Sequence, residues 1–135
     1  MIDGTSSPTQ KLIIVVEDDD FLSDAYRVKF AQVGINAVLA KDGELGFSLI
    51  KRDYPALVIL DLMLPKLDGF NVLKRMKSDP ELKDIPVFIA SNFADDEYKK
   101  RATELGALDF FVKSEISLKD LITRCHEQMA TTVAH

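Results

Sequence analysis

At 135 residues, 47% hydrophobic and 29% charged, the chain has the size and composition of one globular domain able to bury a core. A net charge of −5 with no run of Lys or Arg excludes a general binder of nucleic acid or acidic membrane. One cysteine, Cys125, excludes an internal disulfide framework. No apolar stretch approaches the roughly 18 residues of a membrane span. The start, "MIDGTSSPTQ", lacks the basic and apolar segments of a signal peptide, so a reducing, cytoplasmic setting is expected.

Residues 1–10, rich in Ser, Thr, Gly and Pro, are expected to form a disordered lead-in to one domain over 11–130, with a short tail at 131–135. "KLIIVV" (11–16) is short and β-branched and predicts the first strand. Leu22, Tyr26, Phe30 and Val33 recur at spacings of four, four and three, which predicts a helix stopped by Gly34. "INAVLA" (35–40) predicts a second strand, and Leu45, Leu49 and Ile50 mark a second helix. "ALVIL" (56–60) follows as the third strand, with Val72, Leu73 and Met76 on the third helix. "IPVFIA" (85–90) predicts the fourth strand, and Tyr98, Ala102 and Leu105 a helix closed by Gly106. "ALDFFV" (107–112) predicts the fifth strand. Leu118, Leu121, Ile122, Cys125 and Met129 then form the clearest helical stripe, opened by Ser117 with Asp120 three residues on as an approximate capping box.

Three of these strands are nearly all apolar, as strands covered on both faces must be. Strict alternation of strand and helix predicts an α/β fold, a doubly wound five-stranded parallel sheet with five helices and right-handed crossovers. In such sheets ligands bind beyond the carboxyl ends of the strands. The residues there form a chemical set. The first strand runs into four consecutive acids, Glu17, Asp18, Asp19 and Asp20; the third ends in Asp61, the fourth in Ser91 and Asn92, the fifth in Lys113. A parallel sheet gathers these ends on one edge, and oxygen donors of this kind suit a hard cation such as Mg²⁺ or Mn²⁺.

Each residue alone has an ordinary explanation. Acids favour helix N-termini, an Asp can start a turn, and a lysine is usually solvated. Those explanations must hold independently, whereas one site accounts for all four strand ends. His126 and His135 have no partner at catalytic spacing, and Cys125 falls on an apolar stripe.

The stretches "LIIVVEDDDFL", "ALVILDLMLPKLDGFNVLKRMK", "IPVFIASN" and "GALDFFVKS" together resemble the receiver domain of two-component response regulators, over about residues 11–130 and of the stand-alone, chemotaxis-regulator type. The resemblance implies a flavodoxin-like fold with strand order 2-1-3-4-5. It implies Asp61 as phosphoacceptor, with a phosphoryl group arriving from a histidine kinase or histidine phosphotransfer protein. It also implies that Asp18 binds the metal directly, that Glu17 acts through water or as a second acid, and that the backbone carbonyl of Met63 joins them. Lys113 would pair with the phosphoryl oxygens, the Ser91 hydroxyl would bond to the attached group, and Phe110 would be the aromatic switch. Phosphorylation would then change the surface of the fourth helix, fifth strand and fifth helix for a downstream protein, the chain being a monomer or a weak, phosphorylation-dependent dimer and not a turnover enzyme.

Two positions depart from the family pattern. Ser114 stands where a proline usually follows the lysine across a cis bond, and Phe110 lacks the hydroxyl of the usual tyrosine. Two alternatives remain: an interaction module that is never phosphorylated, and an aspartate-nucleophile phosphatase of the haloacid dehalogenase type. The second would need another Asp at position 63, where the chain has Met63. In receivers the positions flanking the path of a hydrolytic water lie two residues past the acceptor and two past the hydroxyl. Here they are Met63 and Phe93, both bulky and without a useful hydrogen-bonding group, which predicts a long-lived phosphorylated state.

Overall fold

The computed structural model describes residues 12–93 and 95–133, with side chains up to residue 131. The expected lead-in lies outside the described residues. Among these there are five strands and five helices in strict alternation: β1 (Leu12–Val16), α1 (Asp20–Gln32), β2 (Asn36–Ala40), α2 (Gly43–Asp53), β3 (Leu57–Leu60), α3 (Gly69–Ser78), β4 (Val87–Ser91), α4 (Asp96–Glu104), β5 (Asp109–Val112) and α5 (Leu118–Val133). The sheet order is β2-β1-β3-β4-β5 and every pairing is parallel, the flavodoxin-like arrangement.

The period of two along each strand sorts its side chains into two cores. Ile14, Val16, Val58, Leu60, Val87 and Ile89 face one side, against Ile50 of α2, Val72, Leu73 and Met76 of α3 and Ala102 of α4. Ile13, Val15, Leu57, Ile59, Phe88 and Ala90 face the other, against Tyr26 and Phe30 of α1 and Leu121, Ile122, Cys125 and Met129 of α5. With both faces covered, an apolar residue is needed at every position of the central strands, which is why β1, β3 and β4 read as continuous apolar runs. Burial pushes the Cys125 thiol up to about 12, as expected of a core cysteine.

Helix ends follow the glycines. Gly34 (φ 77°) and Gly106 (φ 105°) take left-handed conformations that a side chain disfavours. Ile35 N–H bonds Phe30 O and Gly34 N–H bonds Ala31 O, and Ala107 and Gly106 repeat the pattern onto Ala102 and Thr103. Both are Schellman closures. The second also explains why β5 begins at Asp109 and not at Ala107: the Ala107 amide is spent on the helix. Likewise Ile85 N–H bonds Leu82 O in a turn and Pro86 has no N–H to give, so β4 starts at Val87. Ser117 Oγ accepts from Asp120 N–H at 3.0 Å, the first half of the expected capping box. The helix it opens continues through Val133, three residues past the boundary drawn at 130.

Two helical stripes differ from expectation. Val33 is the C-cap of α1 and stands 41% exposed, while Ile35 just beyond is buried. In α2, Leu45 is 44% exposed and the buried line is Gly43, Gly46 and Ile50. The cause is close approach. A Cβ at Gly46 would lie 2.8 Å from both γ-carbons of Val16, and one at Gly43 would lie 1.7 Å from the Leu67 carbonyl oxygen. The helix therefore presents its smallest residues to the sheet and to the loop after β3.

Candidate functional site

The four acids after β1 divide by environment. Asp19 is the N-cap of α1, its Oδ1 accepting from Leu22 N–H at 2.9 Å. Asp20 sits in the first helical turn, paired at 2.7 Å with Lys41 in solvent. Those two do ordinary work. Glu17 instead prolongs the strand: its N–H bonds Ala40 O at 2.9 Å and the adjacent Asp61 N–H bonds Val16 O at 3.1 Å. That ladder places the Glu17 and Asp61 side chains together, both buried, with Asp18 exposed beside them. One carboxylate oxygen from each of Glu17, Asp18 and Asp61 lies within 4.8 Å of the others.

Lys113 closes the cluster. Its backbone N–H bonds Ser91 O at 2.9 Å, extending β5 alongside β4. Its Nζ donates to Glu17 Oε1 at 2.5 Å and to Asp61 Oδ2 at 3.0 Å. Burial raises the Glu17 carboxyl above the usual carboxylate range, and Lys113 offsets this only in part. For Lys113 itself burial works against the charge, yet Glu17 and Asp61 outweigh it and hold the ammonium above its ordinary value. One cation thus bridges two buried carboxylates, with Asp18 beside them.

The loop from Asp61 to Gly69 is shaped by backbone contacts. Leu67 N–H bonds Pro65 O at 2.7 Å around Lys66, whose φ of 68° is left-handed, and Gly43 N–H reaches the same Pro65 O at 3.2 Å. Asp68 caps α3 by accepting from Asn71 N–H at 3.0 Å. Gly69 N–H bonds Leu62 O at 2.9 Å, and a Cβ on Gly69 would stand 2.1 Å from the Asp61 carbonyl oxygen. Nothing but hydrogen fits there. Gly69→Ala is therefore expected to cost about 2 kcal/mol or more and to displace Asp61, measured by denaturant unfolding and by loss of the Lys113–Asp61 contact in the variant's crystal structure.

The remaining predicted residues lie in the loop after β3, at and just past the end of β4, and on β5. Ser91 is fully buried, its Oγ accepting from Phe93 N–H at 2.9 Å. Met63, 52% exposed, donates its N–H to Asp61 Oδ1 at 3.4 Å, and Phe93 is 47% exposed. Phe110 is half-buried, aligned with Ile89 across the ladder, and packs on the core face shared by α2, α3 and α4. Among the described residues no peptide bond is cis, so Ser114 follows Lys113 in trans. Sequence reasoning missed Gly43 and Gly69; the signal was available in "KDGELG" and "LDGF", where glycine opens each helix.

No helix among the described residues is long and apolar enough to cross a membrane. Comparison with known proteins agrees with the geometry. The family pattern of the response regulator receiver domain matches residues 13–126. The chain is 34% identical to a probable transcriptional regulator, ycf27, of Porphyridium aerugineum over 83% of its own length and 45% of the relative's. It thus spans about half the length of the curated relatives it matches first. Among solved structures it is similar to the receiver domain of the Francisella response regulator 1452 (TM-score 0.83, 28% identity, 91% of this chain and 99% of that one). It is also similar to the Mn²⁺-bound form of the response regulator Rcp1 (TM-score 0.74, 28% identity, 87% and 90% covered). The buried carboxylate pair, the lysine bridging it and the family match over 13–126 lead to one conclusion: the chain belongs to the response regulator receiver domains of two-component signalling.

Proposed function

We propose that the chain is a phosphorylation-activated switch in which Asp61 is the acceptor. The observation that carries this is the Asp61 carboxylate at the end of β3, held at 3.0 Å by Lys113 beside two further acids. The donor is the phosphohistidine of a histidine kinase or phosphotransfer protein. An Asp61 oxygen forms the new bond to phosphorus, the bond to the imidazole nitrogen breaks, and the imidazole leaves with the electron pair. Transfer of this kind asks the protein chiefly to position groups and neutralise charge. Lys113 supplies a fixed cation for the equatorial oxygens. Ser91 Oγ, already accepting from Phe93 N–H, keeps its own proton to donate to the attached group.

A divalent cation fits the donor set. Three carboxylates within 4.8 Å of one another are the hard oxygen ligands Mg²⁺ or Mn²⁺ takes, and a similar receiver has been solved with Mn²⁺. Asp18 and Asp61 would hold it, with the Met63 carbonyl, and Glu17 through water or as a second acid. When bound it supplies charge neutralisation at the phosphoryl oxygens. Incubation with a small phosphodonor and Mg²⁺ should add the mass of one phosphoryl group, and a chelator should prevent it; no gain under any donor would overturn the proposal. Asp18→Ala should weaken Mg²⁺ binding at least tenfold by titration, while Asp20→Ala, whose carboxylate pairs with Lys41, should change it little. Equal binding by both variants would remove Asp18 from the metal site.

Phosphorylation then draws Ser91 toward the new group and lets Phe110 turn inward, shifting the α4-β5-α5 surface toward a downstream protein. The chain so acts without turnover, in the cytoplasm where its kinase partner resides, as a monomer or a weak dimer once phosphorylated. Amide NMR shifts on phosphorylation should extend from the Asp61 loop into α4, β5 and α5; shifts confined to the loop would count against this route. Met63, where a phosphatase would carry its acid, argues against hydrolytic turnover on substrates.

A further inference from the structure

Three aromatic rings, from α3, α4 and the loop after β4, form a row. Phe93, two residues past Ser91, meets Tyr98 of α4 edge-on at 6.4 Å and 61° between ring centroids and planes. Tyr98 in turn meets Phe70 of α3 edge-on at 5.7 Å and 69°. Phe70 follows Gly69, where an added Cβ would stand 2.1 Å from the Asp61 carbonyl oxygen, and the Arg101 guanidinium lies 4.1 Å over the Phe70 ring. The row therefore links the start of α3, which ends the loop that Asp61 opens, to the loop after β4. Tyr98 is its middle member and touches both ends.

We infer that Tyr98 is a positioning residue that fixes Phe93 beside the acceptor and so sets how long the phosphoryl group survives. The inference rests on the proposed phosphorylation of Asp61 and adds to it a residue in a helix outside the site. Phe93 is about half in solvent, and among the described residues the aromatic ring that meets its own is that of Tyr98. Its backbone is tied to Ser91 by the 2.9 Å bond from Phe93 N–H to Ser91 Oγ. With its backbone tied to Ser91 and its ring held edge-on by Tyr98, the Phe93 side chain stays where it obstructs a water approaching phosphorus. Without the edge-on partner the ring swings into solvent and the approach opens. Tyr98 works through its ring face and edge, since neither contact in the row uses its hydroxyl.

The test is the decay of phosphorylated protein after donor removal, in four variants. Tyr98→Phe keeps the row and should decay at the parent rate. Tyr98→Leu, or Tyr98→Met should the leucine variant not fold, should decay about threefold faster or more, the scale of one aromatic pair. Phe93→Ala should also decay faster, and adding Tyr98→Leu to it should change nothing further. Parent-rate decay in Tyr98→Leu, or an equal acceleration in the Phe93→Ala background, would overturn the inference. If no variant can be labelled, the acceptor proposal falls separately. The row is then judged on unlabelled protein, where Tyr98→Leu should shift the Phe93 and Phe70 amide resonances together and Tyr98→Phe should not. Unmoved amides would overturn it.

Discussion

Asp61→Asn is expected to abolish the phosphoryl mass gain completely while leaving the fold intact. The amide matches the carboxylate in shape but has no anionic oxygen to attack phosphorus, so nucleophilic capture is lost outright. No other acid in the cluster can stand in. Glu17 is committed to Lys113 and to Asp19 N–H, and Asp18 lies out in solvent. The fold should survive because the Asn oxygen can still accept from Lys113, which also keeps its 2.5 Å bond to Glu17. Charge balance points the same way. Two buried carboxylates share one ammonium with the exposed Asp18 nearby, so removing one charge relieves like-charge repulsion, and the variant should melt no lower than the parent. A labelled Asp61→Asn protein, identified by intact mass and by the lability of the product to base, would move the acceptor elsewhere.

How much of this was legible in the sequence depends on which residues carry a hydropathy signal. The strands were legible because a doubly covered sheet demands unbroken apolar runs, and β1, β3 and β4 supply them. Their ends slid by one or two residues where a turn claimed the amide, as at Ile85 and Ala107. The line Gly43–Gly46–Ile50 of α2 was not legible, because glycine packs by absence and leaves Leu45 looking like the core residue. At the site, Asp61, Ser91 and Lys113 could be picked out as polar residues ending apolar strands. The family resemblance singles out Glu17 and Asp18 among the four acids, and the coordinates supply the physical reason: the cap bond of Asp19 and the Lys41 partner of Asp20 commit those two elsewhere. The aromatic row was invisible for a different reason. Phe70, Phe93 and Tyr98 belong to separate elements, and only packing brings their rings together.

Replacing Met63 by Asn and Phe93 by Glu together should shorten the phosphorylated lifetime about tenfold. Hydrolysis forms a bond from water oxygen to phosphorus and breaks the bond to the Asp61 oxygen, which leaves as carboxylate while the water proton passes to phosphate or solvent. The water must lie opposite that leaving oxygen, so any polar side chain on its path lowers the barrier by orienting it, and any bulky apolar one raises it. Met63 and Phe93 each follow a site residue at the second position, one past the proposed acceptor Asp61 and one past Ser91, proposed to bond the group. Both are about half exposed, at 52% and 47%, so each side chain borders the solvent from which water must come. Their exposure limits the cost in stability, which for Phe93 is the edge-on contact with Tyr98, about 0.5–1.5 kcal/mol. The Phe93 backbone bond to Ser91 does not depend on the side chain and should persist. The measurement is the loss of the phosphoryl mass after the donor is removed, in the parent and the double variant. Rapid decay in the parent, unchanged by both substitutions, would show that access of water at these two positions does not govern how long the signal lasts.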